Sequence, residues 1–397
     1  MSESNLSSLA YVAESTWGVT PASPEFQALR FTSADIRHAK GTVESAEIRS
    51  DRMTADLAQV TASAEGTMAF ELSYGSYDDI LSSAMYAPWV DVSLAGVTPL
   101  TVAGQVITGT AADFDDLIPL VGGWVKIAGA TTPGNNGLKR IQAVAGDGST
   151  LTLIAGSLTG SDTGETMTFT SGDLRNGIVE KSFTVERNLP HGGTDYFQLF
   201  TGIVASQFSL DAVVEAIVTG SFNFVGALGA DGGSTTADNA GGYTAANANP
   251  VMTGTNEVSG VYLDTYSATA PTATAMIPGL RQVTFAINNG NRALKKLGTL
   301  GAFDLGVGEM ALTGSMDVYF ESNVLFAEFV AHTYKSFVIN FTDSAGNIYV
   351  VTVPRLNLSD GNSPIDGKNA DVMQKIEWRG IYDSHSGAQM IINRFPA

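Results

Sequence analysis

Histidine serves most often in metal sites and in acid–base catalysis near neutral pH. The 397-residue chain has four of them, His38, His191, His332 and His385. None lies in an HExxH motif, and no two are spaced to share one face of a helix. The chain has no cysteine, which excludes a disulfide framework, a thiolate metal site and a cysteine nucleophile. We therefore expect surface histidines and no metal centre.

Two short motifs have the residue types of known chemical sites. The tripeptide DTG at 162–164 matches that of aspartic proteases, but the second copy needed for the proton-sharing carboxylate pair is absent, so we interpret it as a turn. Asp360, Asn362 and Asp366 are spaced like calcium ligands, yet a Pro–Ile pair stands where a calcium loop needs an oxygen ligand and a glycine. No phosphate-binding loop and no nucleophile elbow occurs. The sequence predicts no catalytic residue, no enzyme and no cofactor.

Charge limits the partners of the chain. Lys and Arg total 21 against 40 Asp and Glu, which gives a net charge of −19. A protein that grips nucleic acid needs a basic face, whereas an acidic one lets a polyanion pass without binding it. Charged residues make up 15%, below the roughly 25% of an ordinary soluble domain. Such a surface suggests contacts with other subunits, because interface centres are depleted in charge.

The elements that must position these residues are mostly strands. Period-two alternation is clear where Phe337, Ile339 and Phe341 alternate with Val338 and Asn340, bounded by turn residues. Two segments have helical spacing instead, SYDDILSSAMY and SNVLFAEFVAHTY. We expect Ser76 and Ser322 to be their N-caps.

The same order of elements occurs twice. LRFTSADI, GTMAFELS, the first helix and KSFTVERNL are followed in the second half by LRQVTFAI, GSMDVYFE, the second helix and KSFVINF. We interpret this as an internal duplication; the alternative is two unrelated β units that share a strand–helix order. The predicted division is an N-terminal arm at 1–28, a first unit at 29–91 and 175–227, an inserted small β domain at 92–174, a flexible linker at 228–255 and a second unit at 256–397.

The most charged stretch near the N-terminus is the run Gly41–Val60, which mixes both signs. It is either a solvated hairpin or an arm that docks on a neighbouring subunit, since mixed charge suits contacts that set register. The candidate contact residues are Glu44, Glu47, Arg49, Asp51, Arg52 and Asp56. The N-terminal stretch lacks the pattern of a signal peptide, and no apolar run reaches the ~18 residues of a membrane span. We expect a chain that is made in the cytoplasm and has no membrane partner.

Several segments, in order, resemble the tail tube (major tail) proteins of long-tailed, non-contractile bacteriophages. They include AYVAESTWGVTPASPEFQALRFTSADI, SAEIRSDR, GTMAFELSYGSYDDILSSAM, IVEKSFTVERNLP, VTGSFNFVG, NRALKKLG, LTGSMDVYFESN and GKNADVMQ. The resemblance covers most of the chain outside the inserted segment, which shorter tube proteins lack. It implies a mainly β fold of two sandwich or barrel units, each with one short flanking helix, plus the inserted β domain.

The resemblance also implies a function. Such subunits close into rings that stack into a hollow tube, through which DNA passes during infection without sequence-specific binding. The implied partners are further copies of the chain and the tape-measure, tail-terminator and distal tail proteins, in a virion tail assembled in the host bacterial cytoplasm. Because six units form a ring in single-unit relatives, two units per chain predict a homotrimer. We also expect an acidic lumen, an outward-facing inserted domain and an arm that joins stacked rings.

Three other functions remain open from the sequence. A tube from a phage-derived bacteriocin particle would have the same fold and the same assembly. A cell-surface adhesion protein is disfavoured by the missing signal peptide. A carbohydrate-active enzyme would need two carboxylates across a sugar cleft, and no feature nominates such a pair.

Overall fold

The computed structural model describes residues 3–234, 237–238, 241–365 and 367–397. The chain is mainly β, which confirms the predicted fold class. The first part contains β1 (Ser8–Ala13), β2 (Glu25–Ala28), β3 (Ser33–Glu44), β4 (Leu57–Glu71) and helix α1 (Asp78–Met85). Next come β5 (Val90–Ala103), β6 (Val106–Thr108), β7 (Trp124–Ala128), β8 (Gly137–Val144), β9 (Thr150–Leu153) and β10 (Ser161–Arg175).

The chain then continues with β11 (Phe183–Asn188), β12 (Phe197–Val213), β13 (Thr219–Gly226), β14 (Leu228–Ser234) and β15 (Gly242–Thr244). The second half contains β16 (Val258–Thr265), β17 (Leu280–Asn288), β18 (Arg292–Leu294), β19 (Asp304–Gly306), β20 (Ala311–Tyr319), α2 (Val324–Val330), β21 (Tyr334–Thr342), β22 (Ile348–Asn362), β23 (Met373–Gly380) and β24 (Ile391–Phe395). Short 3-10 helices lie at Ser4–Leu6, Asp115–Leu120 and Pro133–Asn135.

The two halves share one topology. Strands of the first half pair in the order β1-β11-β12-β13-β4-β3. Those of the second half pair in the order β16-β21-β22-β23-β20-β17. All of these pairings are antiparallel, and in each half the helix follows the strand equivalent to β4. We call the halves the first and the second unit.

Cross-strand partners fix which residues of the two units are equivalent. Gly66 and Gly314 each lie on the middle strand of three, where a Cβ atom would come within 1.8 Å and 2.2 Å of the neighbouring strands. Their partners are Ile36 and Phe224 for Gly66, and Phe285 and Trp378 for Gly314. Ile36 is therefore equivalent to Phe285, and Phe224 to Trp378.

Two long strands, β12 and β22, each pass from one layer of the fold to the other. Each has a β-bulge at the equivalent residue, Ser206 in β12 and Ser359 in β22. A bulge bends a strand and increases its twist. The segment before each bulge pairs with β11 or β21, and the segment after it pairs with β13 or β23. Each unit is thus a two-layered sandwich.

Aromatic side chains fill the space between the layers, and one continuous core serves both units. In the first unit Phe222 stacks between Phe70 and Phe208, with ring centroids 4.9 and 5.2 Å away. In the second unit Trp378 packs against Phe285 and Phe337. Burying side chains of this size dominates the stability of a core.

The inserted segment folds as a closed barrel with a core of its own. Its six strands pair in the cycle β5-β6-β9-β8-β7-β10, and β10 returns to β5. Closure leaves no sheet edge in this domain. Phe114 and Phe169 pack edge to face inside it.

The barrel docks on the second unit. Residues 172–175 of β10 pair with β24, and the indole of Trp124 donates to Thr352 at 3.1 Å. Arg140 is fully buried at this contact and donates to the carbonyls of Gly122 and Thr272. Burial lowers the pKa of Arg140 to about 10, so the guanidinium keeps its charge at neutral pH.

Several predicted boundaries differ from the structure. The stretch expected as an N-terminal arm contains β1, which pairs with β11 because Leu9 and Tyr11 bury their side chains in the core. The stretch expected as a flexible linker contains β14, paired with β12, and β15, paired with β2. The inserted domain has no boundary in a loop, since β5 and β10 each belong partly to the barrel and partly to its base.

Neither predicted N-cap forms a capping contact with α1 or α2 in the expected way. Tyr77 occupies the N-cap position of α1, while the Ser76 hydroxyl pairs with the Ser73 hydroxyl at 2.7 Å. Asn323 occupies that position in α2, and Ser322 accepts only a long contact of 3.5 Å from the Val324 amide.

Candidate ring-forming sheet

Eight strand segments from both units form one antiparallel sheet. Its order is β3-β4-β13-β12-β17-β20-β23-β22, where β12 and β22 contribute the segments after their bulges. We call it the shared sheet. Its centre is the β12–β17 pair, in which seven consecutive residue pairs from Gln207–Asn288 to Val213–Gln282 join the two units. We call this pair the internal junction.

The shared sheet has one apolar face and one polar face, as period-two side-chain alternation requires. At the internal junction Phe208, Leu210 and Phe285 point into the core and are buried. Ser209 and Ala286 lie opposite each other on the other face and are partly exposed. This alternation continues across both units, so a single sheet presents a broad surface of small and polar side chains.

Acidic side chains outnumber basic ones on the polar face. The charged residues there are Asp35, Glu65, Glu71, Asp211, Asp317, Asp360 and Glu377 against Arg37, Lys375 and Arg379. Arg37 contacts Asp35 and Glu65 at 3.4 and 3.1 Å. These pairs are exposed and contribute little to stability. The face is therefore net negative, and its few cations are interspersed with carboxylates.

As far as the structure describes the chain, the shared sheet ends in two edges without a backbone partner. Within the described residues β3 pairs only with β4, along its whole length. At the opposite end, β22 pairs with β21 up to Asn357, and beyond that residue it pairs only with β23 in the part of the chain that the structure describes. An unpaired edge exposes backbone N–H and C=O groups that can pair with another chain.

The predicted arm lies at the end of the β3 edge. β3 and β4 continue as a ladder to the Glu44–Leu57 pair, and residues 45–56 form the tip. The Arg49 guanidinium donates two hydrogen bonds to Asp51, which also accepts from the Met53 amide at 3.2 Å. The hydrogen bond from Arg49 lowers the pKa of Asp51.

The other predicted contact residues surround this pair. Glu47 and Asp56 belong to short turns, in which the Glu47 amide donates to Ser45 and the Asp56 carboxylate accepts from the Leu57 amide. Arg52 has a positive φ of 61°. All six predicted residues thus lie on one projecting hairpin, and Arg49 and Asp51 form an ion pair on it.

The prediction from charge did not include the apolar side chains of the same hairpin. Its exposed large hydrophobic residues are Val43, Ile48, Met53, Leu57 and Val60. Ile48 is 99% exposed, which no solvated hairpin requires. The signal was present in the sequence as a large apolar residue every three to five positions. Their exposure favours a docking arm over a solvated hairpin.

The equivalent connection of the second unit, residues 289–310, folds back onto the first unit. Lys295 donates to the Ala62 carbonyl at 2.7 Å, and the Ala62 amide donates to the Leu300 carbonyl at 3.0 Å. Leu305 lies in one buried apolar cluster with Tyr86 and Val204 of the first unit. Residues 289–310 therefore pack on the first unit of the same chain, whereas the arm packs on no other part of the described chain.

Residues that could have carried other chemistry are scattered. His38 lies on β3, His191 in a turn after β11, His332 after α2 and His385 before β24. Asp360 and Asn362 lie at the end of β22, and Asp366 lies outside the described residues. Across the described ranges no group of three or more His, Asp or Glu side chains is arranged to hold a metal ion. No helix among these residues is both long and apolar enough to span a membrane.

Comparison with known proteins identifies the family of the chain. A search of curated proteins found no match. A family model described as "Phage tail tube protein" matches residues 4–380. Because this match spans nearly the whole chain, the chain belongs to the phage tail tube protein family and is a structural component of a phage tail.

Proposed function

We propose that this chain is the major tail tube subunit of a long-tailed, non-contractile phage. Its copies close into rings, the rings stack into a hollow tube, and DNA passes through the tube during infection. The observation that carries the proposal is the shared sheet, which has one polar face and an unpaired edge at each end. Ring closure pairs those edges and removes the risk of uncontrolled association.

Three chains form one ring in this proposal. The two units of a chain have the same strand order, and one contact between units, the internal junction, already exists inside each chain. A ring of six units then needs three further contacts between chains. Covalent linkage makes half of the contacts independent of subunit concentration, which favours complete rings.

The polar face of the shared sheet lines the lumen. Its excess of carboxylates repels phosphate, so DNA moves past without binding. The repulsion acts within about a Debye length, roughly 8 Å at physiological ionic strength. Four charged residues on the inner strands β20 and β23 test this role. Exchange of Lys375 and Arg379 for Glu is expected to leave passage intact. Exchange of Asp317 and Glu377 for Lys is expected to slow DNA ejection from assembled particles. Equal ejection rates in both variants contradict an electrostatic role for the lumen.

The arm joins stacked rings. Its mixed charges and exposed apolar residues suit a contact with a second protein surface. Exchange of Arg49 and Arg52 for Glu is expected to shorten tubes while rings still close. Exchange of Lys375 and Arg379 for Glu, on β23 and outside both the arm and the unpaired edges, is the control for an equal change of charge. Residues 289–310 pack on the neighbouring unit, so the alternative is that the arm contacts the neighbouring chain of the same ring. Loss of rings while the subunits stay folded would support this alternative.

The barrel faces outward. It packs on Val338 and Val350, which alternate along β21 and β22 with core residues, so a whole layer of the second unit separates it from the polar face. We expect tubes to form when residues 95–168 are replaced by a tight turn, which keeps the Leu94–Phe169 base of the β5–β10 ladder. Tubes of smaller outer diameter and unchanged lumen are the expected result. A widened lumen would place the barrel inside.

The proposal includes a role without catalysis, assembly in the host bacterial cytoplasm, and contacts with tape-measure, tail-terminator and distal tail proteins. Negative-stain electron microscopy of the purified chain tests its core. Rings or tubes are expected at high protein concentration. A monomer that stays dispersed at all concentrations, and in the presence of the tape-measure protein of the same phage, would contradict a tube subunit.

A further inference from the structure

The internal junction is a template for the contact between chains. β17 lies along β12 beyond the bulge of β12. The equivalent of β12 is β22, whose edge beyond its own bulge is unpaired in the described residues, and the equivalent of β17 is β3, whose outer edge is unpaired there as well. Resting on the proposed ring, the two unpaired edges can therefore be matched residue by residue.

The register follows from the cross-strand partners. Ala205 lies opposite Phe224, and Leu358 lies opposite Trp378, so Ala205 and Leu358 are equivalent. On the other strand, Ile36 is equivalent to Phe285. Counting along the strands from these positions translates each β12–β17 pair of the internal junction into an equivalent β22–β3 pair. Gln207–Asn288 becomes Asp360–Ala39, Ser209–Ala286 becomes Asn362–Arg37, and Ala212–Val283 becomes Ile365–Ala34.

Ile365 is a large apolar residue in this register, and its side chain is exposed in the single chain. Its equivalent, Ala212, is 6% exposed and lies opposite the buried Val283, whereas Ile365 is 84% exposed. β12 continues to Val213, but β22 ends at Asn362, since Pro364 has no N–H to donate to a ladder. Beyond Asn362 the contact therefore depends on the burial of a side chain.

A groove that fits Ile365 exists beside β3. It has a volume of 740 Å³ and contains Leu9, Leu29, Phe31 and Ala34 among its lining residues. The equivalent groove of the second unit has a volume of only 240 Å³, because Ala212 and Val214 of the first unit form one of its walls. Among the described residues no part of the chain forms that wall of the groove beside β3, and Ile365 is the equivalent of Ala212.

Charge is complementary along the same register. Asp360 lies diagonal to Arg37 on the polar face, a separation that a long side chain spans in an antiparallel pair. At the internal junction a diagonal hydrogen bond of this kind already joins Gln282 to Asp211 at 2.8 Å.

We propose that chains join by pairing β22 of one copy with β3 of the next in this register, with Ile365 of the first copy seated in the groove of the second. The occupant of the groove is thus a second copy of the chain. Its recognition combines a backbone ladder, an apolar anchor and the Asp360–Arg37 pair.

Cysteine cross-linking tests the register, because the chain has no cysteine of its own. Opposite residues in an antiparallel pair have Cα atoms about 4.5–5.5 Å apart, within disulfide range. Assembled rings of Asn362→Cys/Arg37→Cys and of Asp360→Cys/Ala39→Cys, both within the ladder, are expected to give covalent trimers under mild oxidation. Ile365→Cys/Ala39→Cys is the matched control, since its positions lie roughly 16 Å apart in this register.

Ile365 itself is tested by assembly. Ile365→Asp is expected to raise the concentration for half-assembly by about a hundredfold, Ile365→Ala by about tenfold, and Ile365→Leu hardly at all. The melting temperature of the dispersed chain should not change in any of them, because the side chain is exposed there.

The outcomes separate this inference from the proposed function. Rings that form without the expected cross-links, or that tolerate Ile365→Asp, overturn the register and the anchor while the tube assignment stands. A wild-type chain that forms no ring under any condition overturns both. Cross-linking in the control pair alone would show a shifted register and would also overturn the inference.

Discussion

Helices α1 and α2 occupy equivalent places in the two units, yet one is buried and the other is not. Residues Ile80–Met85 of α1 are all buried, whereas α2 has no fully buried residue. A residue of positive φ follows each helix, Tyr86 at 52° directly after α1 and His332 at 53° two residues after α2. The difference lies in what covers them.

The second unit covers α1. Asn289 donates to the Ala84 carbonyl at 2.9 Å, and Leu305 shares a buried apolar cluster with Tyr86, the residue just after the helix. Tyr349 and Arg394 both contact Asp78 at its start. Nothing inside the described chain does the same for α2. The second unit thus exposes a surface that is buried in the first unit. We expect the next chain of an assembly to bind at that exposed surface.

The largest expected effects test whether the two units fold as one body. Phe222→Ala and Trp378→Ala each remove a buried aromatic side chain, which costs about 3–5 kcal/mol of unfolding free energy. Because one core and one sheet serve both units, we expect either variant to shift a single unfolding transition in denaturant. Two separated transitions, each sensitive to only one of the variants, would show that the units fold independently.

The next effect concerns the barrel and the unit on which it docks. Arg140→Met leaves the carbonyls of Gly122 and Thr272 without their donor, and we expect a loss of about 3 kcal/mol. Arg37→Met removes an exposed guanidinium and is the control, with an expected change within about 0.5 kcal/mol. Thermal denaturation measures both. Equal effects would mean that Arg140 does not hold the barrel in place.

Acid should weaken the same contact. Burial acts to raise the pKa of Asp383, but hydrogen bonds from Ser386 and Tyr266 outweigh it and lower the pKa below the ordinary value of 3.8. A depressed pKa stabilises the fold above the unfolded value, and that contribution is lost as pH falls through the folded value. We therefore expect stability to fall as the pH drops below roughly 4, the ordinary value for Asp. Asp383→Asn should flatten this part of the stability–pH profile, and an unchanged profile would assign the effect to other carboxylates.

The smallest effect sharpens the comparison of the helices. Phe326 on α2 is 46% exposed, so Phe326→Ala should cost under about 1 kcal/mol in the dispersed chain. Its equivalent, Ile80→Ala, should cost about 2–5 kcal/mol. In assembled rings the two costs should converge if a second copy covers α2. A Phe326→Ala variant that assembles like the wild type would leave α2 outside the contact.

The mainly β class, the two helices and the repeated order of elements were predictable because alternation and helical spacing are local properties of the sequence. The equivalence of individual residues was not. The repeated KSF tripeptide suggests that Phe183 matches Phe337, but the cross-strand partners match Phe183 with Lys335 and Val185 with Phe337. Strand register depends on partners far away in the chain, which short motifs do not record.

The candidate contacts were predictable in part. Mixed charge identified the arm, whereas the unpaired edges and the exposed Ile365 depend on which strands lie next to one another. The segment predicted to be a linker illustrates the same limit. Its small residues suggest coil, yet β14 pairs with β12 because the fold brings an unsatisfied edge to it. Composition indicates flexibility, but tertiary pairing decides.

The number of chains in an assembled ring decides whether one chain supplies two equivalent ring units. Cryo-electron microscopy of assembled tubes, with native mass spectrometry of single rings, counts the chains. We predict three chains per ring, with six similar sheet segments around the lumen and the β12–β17 pair alternating with a β22–β3 pair. A ring of six chains, with only one unit of each lining the lumen, would contradict it.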